Sequence, residues 1–436
     1  MFSNRWRRTR WALLVCAFSC AAQTPQPVAL TLDQAIATAI KNHPQIAIAQ
    51  NLASAAGERV TETKSAYYPL ISAAVTGAQT NSQDARIGAG ALNAPRMFTR
   101  NGEGIQLGQL VTDFGRTHNL VSSSRLQEQA QQQGAIATRY DVTLGVARAW
   151  YGVLQDTALV RVAEETVHAR QTLDDQVKAL ATAQLRSQVD VSFADVNLSE
   201  AQLMLIRARD SVKQAYADLA RAMGEDRPAA AYQLSEGQPA PAPPPDPEAL
   251  VGEAIQNRPE LAELRLRYEA AQRFEEAERD LKRPIVSFLG VGGALPYVDQ
   301  DPRTAPYGYE GAALNVQIPI FNGHLFSARA REAYYQSIAA NQRLRDLQQQ
   351  IEHDVRITLL AAQNAYERIP VTQRLLDQAR LALNLAQGRY NLSLASIVEL
   401  TQAQLNVTQA EIENTSAKYD YQGAWAALQY TIGALR

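Results

Sequence analysis

One stretch of the sequence, from residue 103 to residue 184, limits the possible folds more than any other. It begins with EGIQLGQLVTDFG, an alternating segment typical of a strand, which ends in an Asp-Phe-Gly turn. The residues that follow contain almost no helix breaker, and apolar side chains such as Val142, Val146 and Val153 recur at steps of three and four. This spacing predicts one continuous helix packed on other helices, about 105 Å long at the usual rise per residue. A compact domain has no room for such a helix, whereas a chain that crosses a wide compartment needs one.

The composition excludes several classes of protein. Apolar residues make up 46% of the 436 residues and charged residues 20%, so the chain is neither disordered nor a polytopic helical membrane protein. The net charge is −2, and the sequence has no basic patch with interleaved aromatic residues. We therefore expect no nucleic-acid partner.

The first 22 residues have the pattern of a signal peptide. Four arginines precede the short apolar run WALLVCAFSCAA, which is too short to span a bilayer. Both cysteines of the chain, Cys16 and Cys20, lie in this run. Cys20 is either a lipid-attachment residue at the mature N-terminus or is discarded with the signal peptide. The preceding Ala17-Phe18-Ser19 is a poor lipidation signal, which favours the second reading.

The remainder of the chain repeats itself. AIKNHPQI at 39–46 matches AIQNRPEL at 254–261 with an offset of 215, and SQVDV at 187–191 matches SIVEL at 396–400 with an offset of 209. Matches of VTL with ITL (142–144, 357–359) and of Tyr151 with Tyr366 keep the offset of 215. They predict six extra residues between Tyr151 and Ser187 in the first copy.

These matches divide the mature chain into three parts: a first repeat (23–236), a proline-rich linker (237–247) and a second repeat (248–436). Each repeat is expected to contain a short helix, a longer helix, two strands around a turn-rich loop, the very long helix and a return helix. The loops are predicted at 82–101 and 299–308. Pro370 lies within the second long helix, where we expect a local kink.

The strands leave two readings open. Leu314, Val316 and Ile318 alternate with Asn315 and Gln317, which is typical of either a transmembrane strand or an ordinary soluble hairpin. Four strands cannot close a barrel, and lipid does not tolerate open sheet edges. The membrane reading therefore requires several chains, and three chains give twelve strands, enough to leave a pore.

Several segments carry a family resemblance: LTLDQAIATAIKNHPQI, the paired NHP and NRP steps, IPIFNG, GRYNLSLASIVELTQAQLNVTQAEI and YDYQGAWAALQYTIGAL. Over nearly all of the mature sequence the chain resembles the TolC-like outer-membrane efflux protein family. The resemblance implies a mainly α fold with β, in which a homotrimer forms a long-helix α-barrel and a transmembrane β-barrel. It also implies an outer-membrane location with a long periplasmic extension, contact with outer-membrane lipid, a periplasmic adaptor (membrane fusion) protein and an inner-membrane transporter.

Two acidic residues occupy equivalent positions in the repeats, just after each predicted helical turn. Asp190 and Glu399 would give six carboxylates around the axis of a trimer, a ring that attracts cations and narrows the opening. The alternative is that they are solvated carboxylates of a first helical turn, which the helix dipole favours. The sequence leaves both readings open.

The resemblance implies further roles at the ends of the long helices. Glu399 falls at an aperture aspartate and Tyr390 at a tyrosine of the closing contacts. Gln402 replaces a second aperture aspartate, and Ala395 replaces an arginine that bonds across the closed tip. The adaptor-facing tips are expected at six residues, in which Gln184 and Ser393 replace glycines: Gln184, Leu185, Ser187, Ser393, Leu394 and Ser396.

No catalytic constellation is present in the sequence. The five histidines lack metal-ligand spacing, and no nucleophile elbow, Walker loop or C-x-x-C motif occurs, so we expect neither an enzyme nor a cofactor. Close backbone approach in a strand explains Gly290, Gly292 and Gly293 better than a phosphate-binding loop. The favoured function is the passive exit duct of an efflux or secretion system, and the alternative is a soluble periplasmic coiled-coil adaptor or scaffold. Neither the exported substrate nor the pump follows from the sequence.

Overall fold

The computed structural model describes residues 28–79, 100–225, 232–298 and 307–435. The predicted signal peptide, including Cys20, lies outside these residues, as does most of each predicted loop between strands. The first half of the chain contains seven of the described elements: β1 (Val28–Leu30), α1 (Leu32–Asn42), α2 (Pro44–Lys64), β2 (Leu70–Ala78), β3 (Arg100–Thr112), α3 (Arg116–Thr182) and α4 (Gln188–Met223).

The second half follows the same order of helices and strands. Its described elements are β4 (Tyr232–Leu234), α5 (Pro247–Asn257), α6 (Pro259–Arg279), β5 (Ile285–Val298), β6 (Tyr307–Gln317), α7 (Leu325–Asn391) and α8 (Ile397–Thr431). None of the helices in the described ranges has an apolar window long enough to cross a membrane.

The two long helices correct the predicted position of the length difference between the repeats. Helices α3 and α7 each contain 67 residues, and each follows two consecutive residues with positive φ, at 114–115 and 323–324. From there onward the offset is 209, so buried Val142 corresponds to buried Ile351 and not to Ile357. The prediction of extra residues between Tyr151 and Ser187 is wrong, and the difference lies in the strand–loop–strand segment. Short apolar matches such as VTL and ITL recur by chance along helices with the same periodicity.

Proline divides the helices at the start of each repeat, as predicted. Helix α1 ends at Asn42, and Pro44 is the first residue of α2, a position where a helix needs no backbone N–H. The intervening His43 caps α2, because its Nδ1 accepts a hydrogen bond from the N–H of Gln45 at 3.2 Å. Burial lowers the pKa of His43, and the nearby Arg221 lowers it further, so neutral imidazole is the form that caps the helix.

Helix α7 continues through Pro370 without interruption, and the local kink at this position stays a prediction. Proline has no N–H to donate to the carbonyl four residues earlier, which is that of Tyr366. Packing along α8 offsets this loss, since buried Ala362, Ala365 and Thr372 on either side of the proline keep the helix seated on its neighbours.

Two equivalent clusters of the core lie around the long helices. In the first, Trp150 and Val146 of α3 pack against Leu219 and Met223 of α4 and against α1. In the second, α7 packs against α5, α6 and α8 through residues that include Ile351 and Leu359. Burial of each large apolar side chain stabilises the fold by about 1.5–3 kcal/mol.

The main sheet has the order β2-β3-β5-β6, and all its described pairs are antiparallel. Ile71 lies opposite Leu107, and Phe288 lies opposite Leu314, so apolar side chains share one face. Strands β2 and β6 form the two edges of this sheet. A second, parallel pair joins β1 to β4 and was not predicted, because a three-residue strand has too short a pattern to detect.

The proline-rich linker packs against helices instead of standing free. The N–H of Ala240 donates to Oε1 of Gln422 at 3.3 Å, and the hydroxyl of Tyr421 donates to the carbonyl of Pro241. The amide of Gln363 reaches the carbonyl of Pro244 at 3.4 Å. Pro247 belongs to α5, so the linker ends one residue earlier than predicted.

A single glycine in β5 has no room for a side chain. A Cβ atom on Gly293 would lie 2.7 Å from the Cα of Gly104 and 2.6 Å from the hydroxyl of Tyr309, whereas on Gly292 the nearest atom would be 3.8 Å away. We expect Gly293→Ala to lower the free energy of unfolding by about 1–3 kcal/mol, because β3 must move aside. Thermal unfolding followed by circular dichroism measures the effect, with Gly292→Ala as the matched control. Equal stability of the two variants would contradict the prediction.

Candidate functional site at the helix tips

Both long helices end in the same turn, and both turns use an unusual backbone conformation. Gln184 has a φ of 59° and Ser393 a φ of 58°. In each turn the next N–H closes the helix end: that of Leu185 donates to the carbonyl of Leu180 and that of Leu394 to the carbonyl of Arg389, both at 2.8 Å. This is the hydrogen-bonding pattern that a left-handed residue after a helix produces, and glycine is its usual occupant. The sequence places other residues there at some cost in strain.

A serine begins each return helix. The hydroxyl of Ser187 accepts a hydrogen bond from the N–H of Asp190 at 3.2 Å, and that of Ser396 accepts one from the N–H of Glu399 at the same distance. In the first turn the contact is reciprocal, because the Asp190 carboxylate accepts from the N–H of Ser187 at 3.1 Å. Both carboxylates therefore lie in the first turn of a helix, where the dipole favours negative charge.

The two carboxylates differ in their other partners. Glu399 lies 3.3 Å from the guanidinium of Arg389, and both side chains are substantially exposed. Such a pair contributes about 0–1 kcal/mol to stability, but it leaves the local charge near zero. Asp190 is held by the backbone and hydroxyl of Ser187 instead. Nothing in the spacing of the sequence pointed to Arg389 as the partner of Glu399.

Tyr390, at the end of α7, is buried, with 3% of its surface exposed. The guanidinium of Arg186 lies over its ring at 4.3 Å from the centroid and donates a hydrogen bond to its carbonyl at 3.1 Å. Burial raises the pKa of Tyr390, Arg186 lowers it and Asp190 raises it again. Arg186 belongs to the first turn and Tyr390 to the second long helix, so this contact joins the two hairpins of one chain.

Apolar packing beneath the turns makes the four helix ends one unit. Leu173 and Val177 of α3 share a cluster with Val191 of α4, Tyr390 of α7 and Leu400 of α8. The four helices therefore pack together at this end, next to the contact between Arg186 and Tyr390.

The other predicted tip residues face solvent. Gln402 lies on the exposed face of α8, where its amide donates to Asn406 at 3.0 Å and reaches neither turn. Leu185 and Leu394 are about equally exposed, at 70% and 67%. Each turn thus exposes one leucine to solvent, and the two leucines occupy equivalent positions in the repeats. Within the described residues, no group of three or more His, Cys, Asp or Glu side chains could hold a metal ion.

Two curated proteins are similar to this chain over most of its length. The outer membrane protein TolC of Vibrio cholerae is 24% identical over 418 residues, covering 91% of this chain and 89% of the relative. The alkaline protease secretion protein AprF of Pseudomonas aeruginosa is 24% identical over 325 residues, covering 74% of this chain and 65% of that protein.

Two solved structures share the fold. The outer membrane protein VceC of Vibrio cholerae aligns with a TM-score of 0.79 at 17% identity, covering 92% of this chain and 96% of that one. The open state of the outer membrane channel MtrE of Neisseria gonorrhoeae aligns with a TM-score of 0.76 at 17% identity, covering 95% of this chain and 94% of that one.

The outer membrane efflux protein family matches residues 35–225 and 250–434, one match for each half and together well over half of the chain. The resemblance found in the sequence is therefore confirmed. This protein belongs to the outer membrane efflux protein family and is located in the outer membrane.

Proposed function

We propose that three copies of this chain form a channel through the outer membrane, which serves as the passive exit duct of a tripartite efflux or type I secretion system. An inner-membrane transporter drives export, and a periplasmic adaptor protein connects it to the helix tips. The observation that carries the proposal is the open four-stranded sheet, whose edges are β2 and β6.

The open edges of the sheet matter because their unpaired backbone groups would face lipid. An unpaired backbone N–H or carbonyl in the hydrocarbon layer costs several kcal/mol, so an open sheet cannot remain there alone. Ile71, Val75 and Leu314 lie on the same face of the edge strands and are 63%, 85% and 66% exposed in the single chain. In an outer-membrane protein, pairing β6 of one copy with β2 of the next supplies both the missing hydrogen bonds and an apolar outer surface.

The number of strands favours three copies. Two copies would give eight strands, a barrel whose interior side chains fill the space. Three copies give twelve strands and leave a pore. A duct of this kind needs no chemistry of its own, because the energised transporter moves the substrate.

The names of the relatives support a role in export, and therefore the proposed adaptor and transporter, but they do not identify the exported substrate. AprF is named for secretion of a protease, and TtgC, a relative from Pseudomonas putida that is 23% identical over 309 residues, is named for efflux of toluene. The competing proposal of a soluble periplasmic scaffold has no place for an outer-membrane location. It would also leave the exposed apolar strands in water.

Disulfide crosslinking tests the trimer. In the chain, Gly108 of β3 lies opposite Leu289 of β5. The repeat offsets of 209 and 215 convert this pair to Gln317 of β6 and Ala74 of β2 in the neighbouring copy. We expect the double variant Ala74→Cys, Gln317→Cys to give a covalent three-chain species on a non-reducing denaturing gel, because opposed Cβ atoms are within reach of a disulfide.

The matched control is Ala73→Cys with Gln317→Cys, since Ala73 points to the other face of β2. It should crosslink far less. No crosslinking in either variant, together with a monodisperse monomer in detergent-free buffer, would sink the channel and favour the scaffold.

We further propose that the tips form the periplasmic gate, with Asp190 and Glu399 as a carboxylate ring and Tyr390 as part of the closing contacts. The contact of Arg186 with Tyr390 supports this role, because it ties the hairpins together at the end where the channel would narrow. Gln402 lies about one helical turn beyond Glu399 and, being uncharged, would add no charge to the gate. The exposed leucines 185 and 394 then present apolar side chains to the adaptor.

The ring predicts ion selectivity. We expect the double variant Asp190→Asn, Glu399→Gln to lose much of the cation preference, because the trimer loses six negative charges and each Arg389 guanidinium loses its carboxylate partner. The reversal potential in planar bilayers under a salt gradient measures the effect. Asp210→Asn, a neutralisation on the exposed face of α4, is the control. An unchanged reversal potential in the double variant would reject the carboxylate ring. It would favour the alternative that Asp190 and Glu399 are solvated carboxylates of a first helical turn.

The tip contact predicts a change in conductance. We expect Arg186→Ala and Tyr390→Leu each to raise the single-channel conductance or the open fraction, because each removes the cation–π contact between the hairpins. Arg186→Ala also removes a positive charge, whereas Tyr390→Leu does not, so the second variant separates the loss of the contact from the change in charge. Arg207→Ala on α4 serves as the control for arginine removal. Wild-type currents in both tip variants would show that the contact does not restrict the opening.

A further inference from the structure

A cavity of about 370 Å³ lies between the proline-rich linker and three helices, far from the tips. Its walls come from α3, α7, α8, Glu236 and linker residues 237–240. Aromatic side chains dominate the lining, since four tyrosines contribute to it: Tyr151, Tyr366, Tyr419 and Tyr421.

Two of the tyrosines are fixed by the linker itself. The hydroxyl of Tyr419 donates to Glu236 at 2.8 Å, and that of Tyr421 donates to the carbonyl of Pro241. The ring of Tyr421 packs against that of Tyr366 with centroids 5.1 Å apart. The cavity therefore has rigid aromatic walls, and a ligand pays little ordering entropy when it binds between such surfaces.

Unused hydrogen-bonding groups accompany these walls. In the described part of the chain, the hydroxyls of Tyr151 and Tyr366 have no hydrogen-bond partner. The carbonyl of Tyr366 also lacks its helical donor, because residue 370 is proline. A ligand with one hydroxyl could both donate and accept at these groups.

Charge and size narrow the ligand class. The only ionisable acid and base in the lining are Glu236 and Lys418, whose charges cancel, and Glu236 is already engaged by Tyr419. Such a lining favours an uncharged molecule. A cavity of about 150 Å³ holds benzene, so this larger space has room for two or three fused rings.

We propose that this cavity is a binding site for an uncharged, planar aromatic molecule of two or three rings that carries a hydroxyl group. The ligand would stack against Tyr366 and Tyr421 and contact the linker.

Binding of 2-naphthol to the detergent-solubilised full chain tests the proposal by isothermal titration calorimetry, with a micelle-only titration subtracted. We expect saturable binding in the wild type and an affinity at least tenfold weaker in Tyr366→Ala. Tyr335→Ala, which removes an exposed tyrosine from the same helix outside the cavity, should bind like the wild type. Equal affinity in Tyr366→Ala and Tyr335→Ala, or a wild-type titration no different from micelles, would overturn the site.

Ala240→Leu provides a second test, because it fills the cavity and keeps all four tyrosines. We expect it to abolish binding while circular dichroism shows the same helix content. Hydrogen exchange should slow on addition of 2-naphthol in peptides covering 232–246 and 418–422 of the wild type, and protection elsewhere alone would contradict the location. Tighter binding of 2-naphthalenesulfonate or of 2-naphthylmethylammonium would refute the preference for an uncharged ligand.

Discussion

A peptide group cannot stay unpaired in lipid, and this constraint governs how a chain with four strands can serve the outer membrane. The order β2-β3-β5-β6 leaves one edge on each side, and the repeat makes those edges complementary, because β2 corresponds to β5 and β6 to β3. The pairing that closes the proposed barrel is thus a copy of one already present within the chain. The duplication that produced the second pair of strands would therefore also have produced the pairing between copies.

The sequence repeat also produces two equivalent structures at the other end of the molecule, the helix tips. Both tips have the same turn, with a left-handed residue that is not glycine and a serine cap three residues later. The two tips differ in their arginines: Arg389 pairs with Glu399 of its own hairpin, whereas Arg186 crosses to Tyr390 of the other. One tip is neutralised locally, and the contact that joins the hairpins comes from the other.

Much of the fold could be predicted from local pattern. Each repeat contains the predicted short helix, longer helix, two strands, very long helix and return helix, because Asn-x-Pro steps, serine caps and apolar periodicity act within a few residues of one another. The offset between the long helices could not be obtained that way, since two helices of equal period match each other in several registers. The strands β1 and β4 were missed because three residues are too few to show a period. The contacts of the linker with helices were not predicted, because proline composition does not indicate which residues lie beside it.

The sequence by itself determined the order of the helices and of the four strands of the main sheet, and which carboxylates occupy the first helical turns, because those features depend on neighbours one to four residues apart. The tertiary structure decided which distant residues meet. Arg186 reaches Tyr390 across 204 positions of sequence, and the linker meets α8 across 180 or more. Such contacts depend on how long helices lie against one another in space, and a local pattern has no information about that packing.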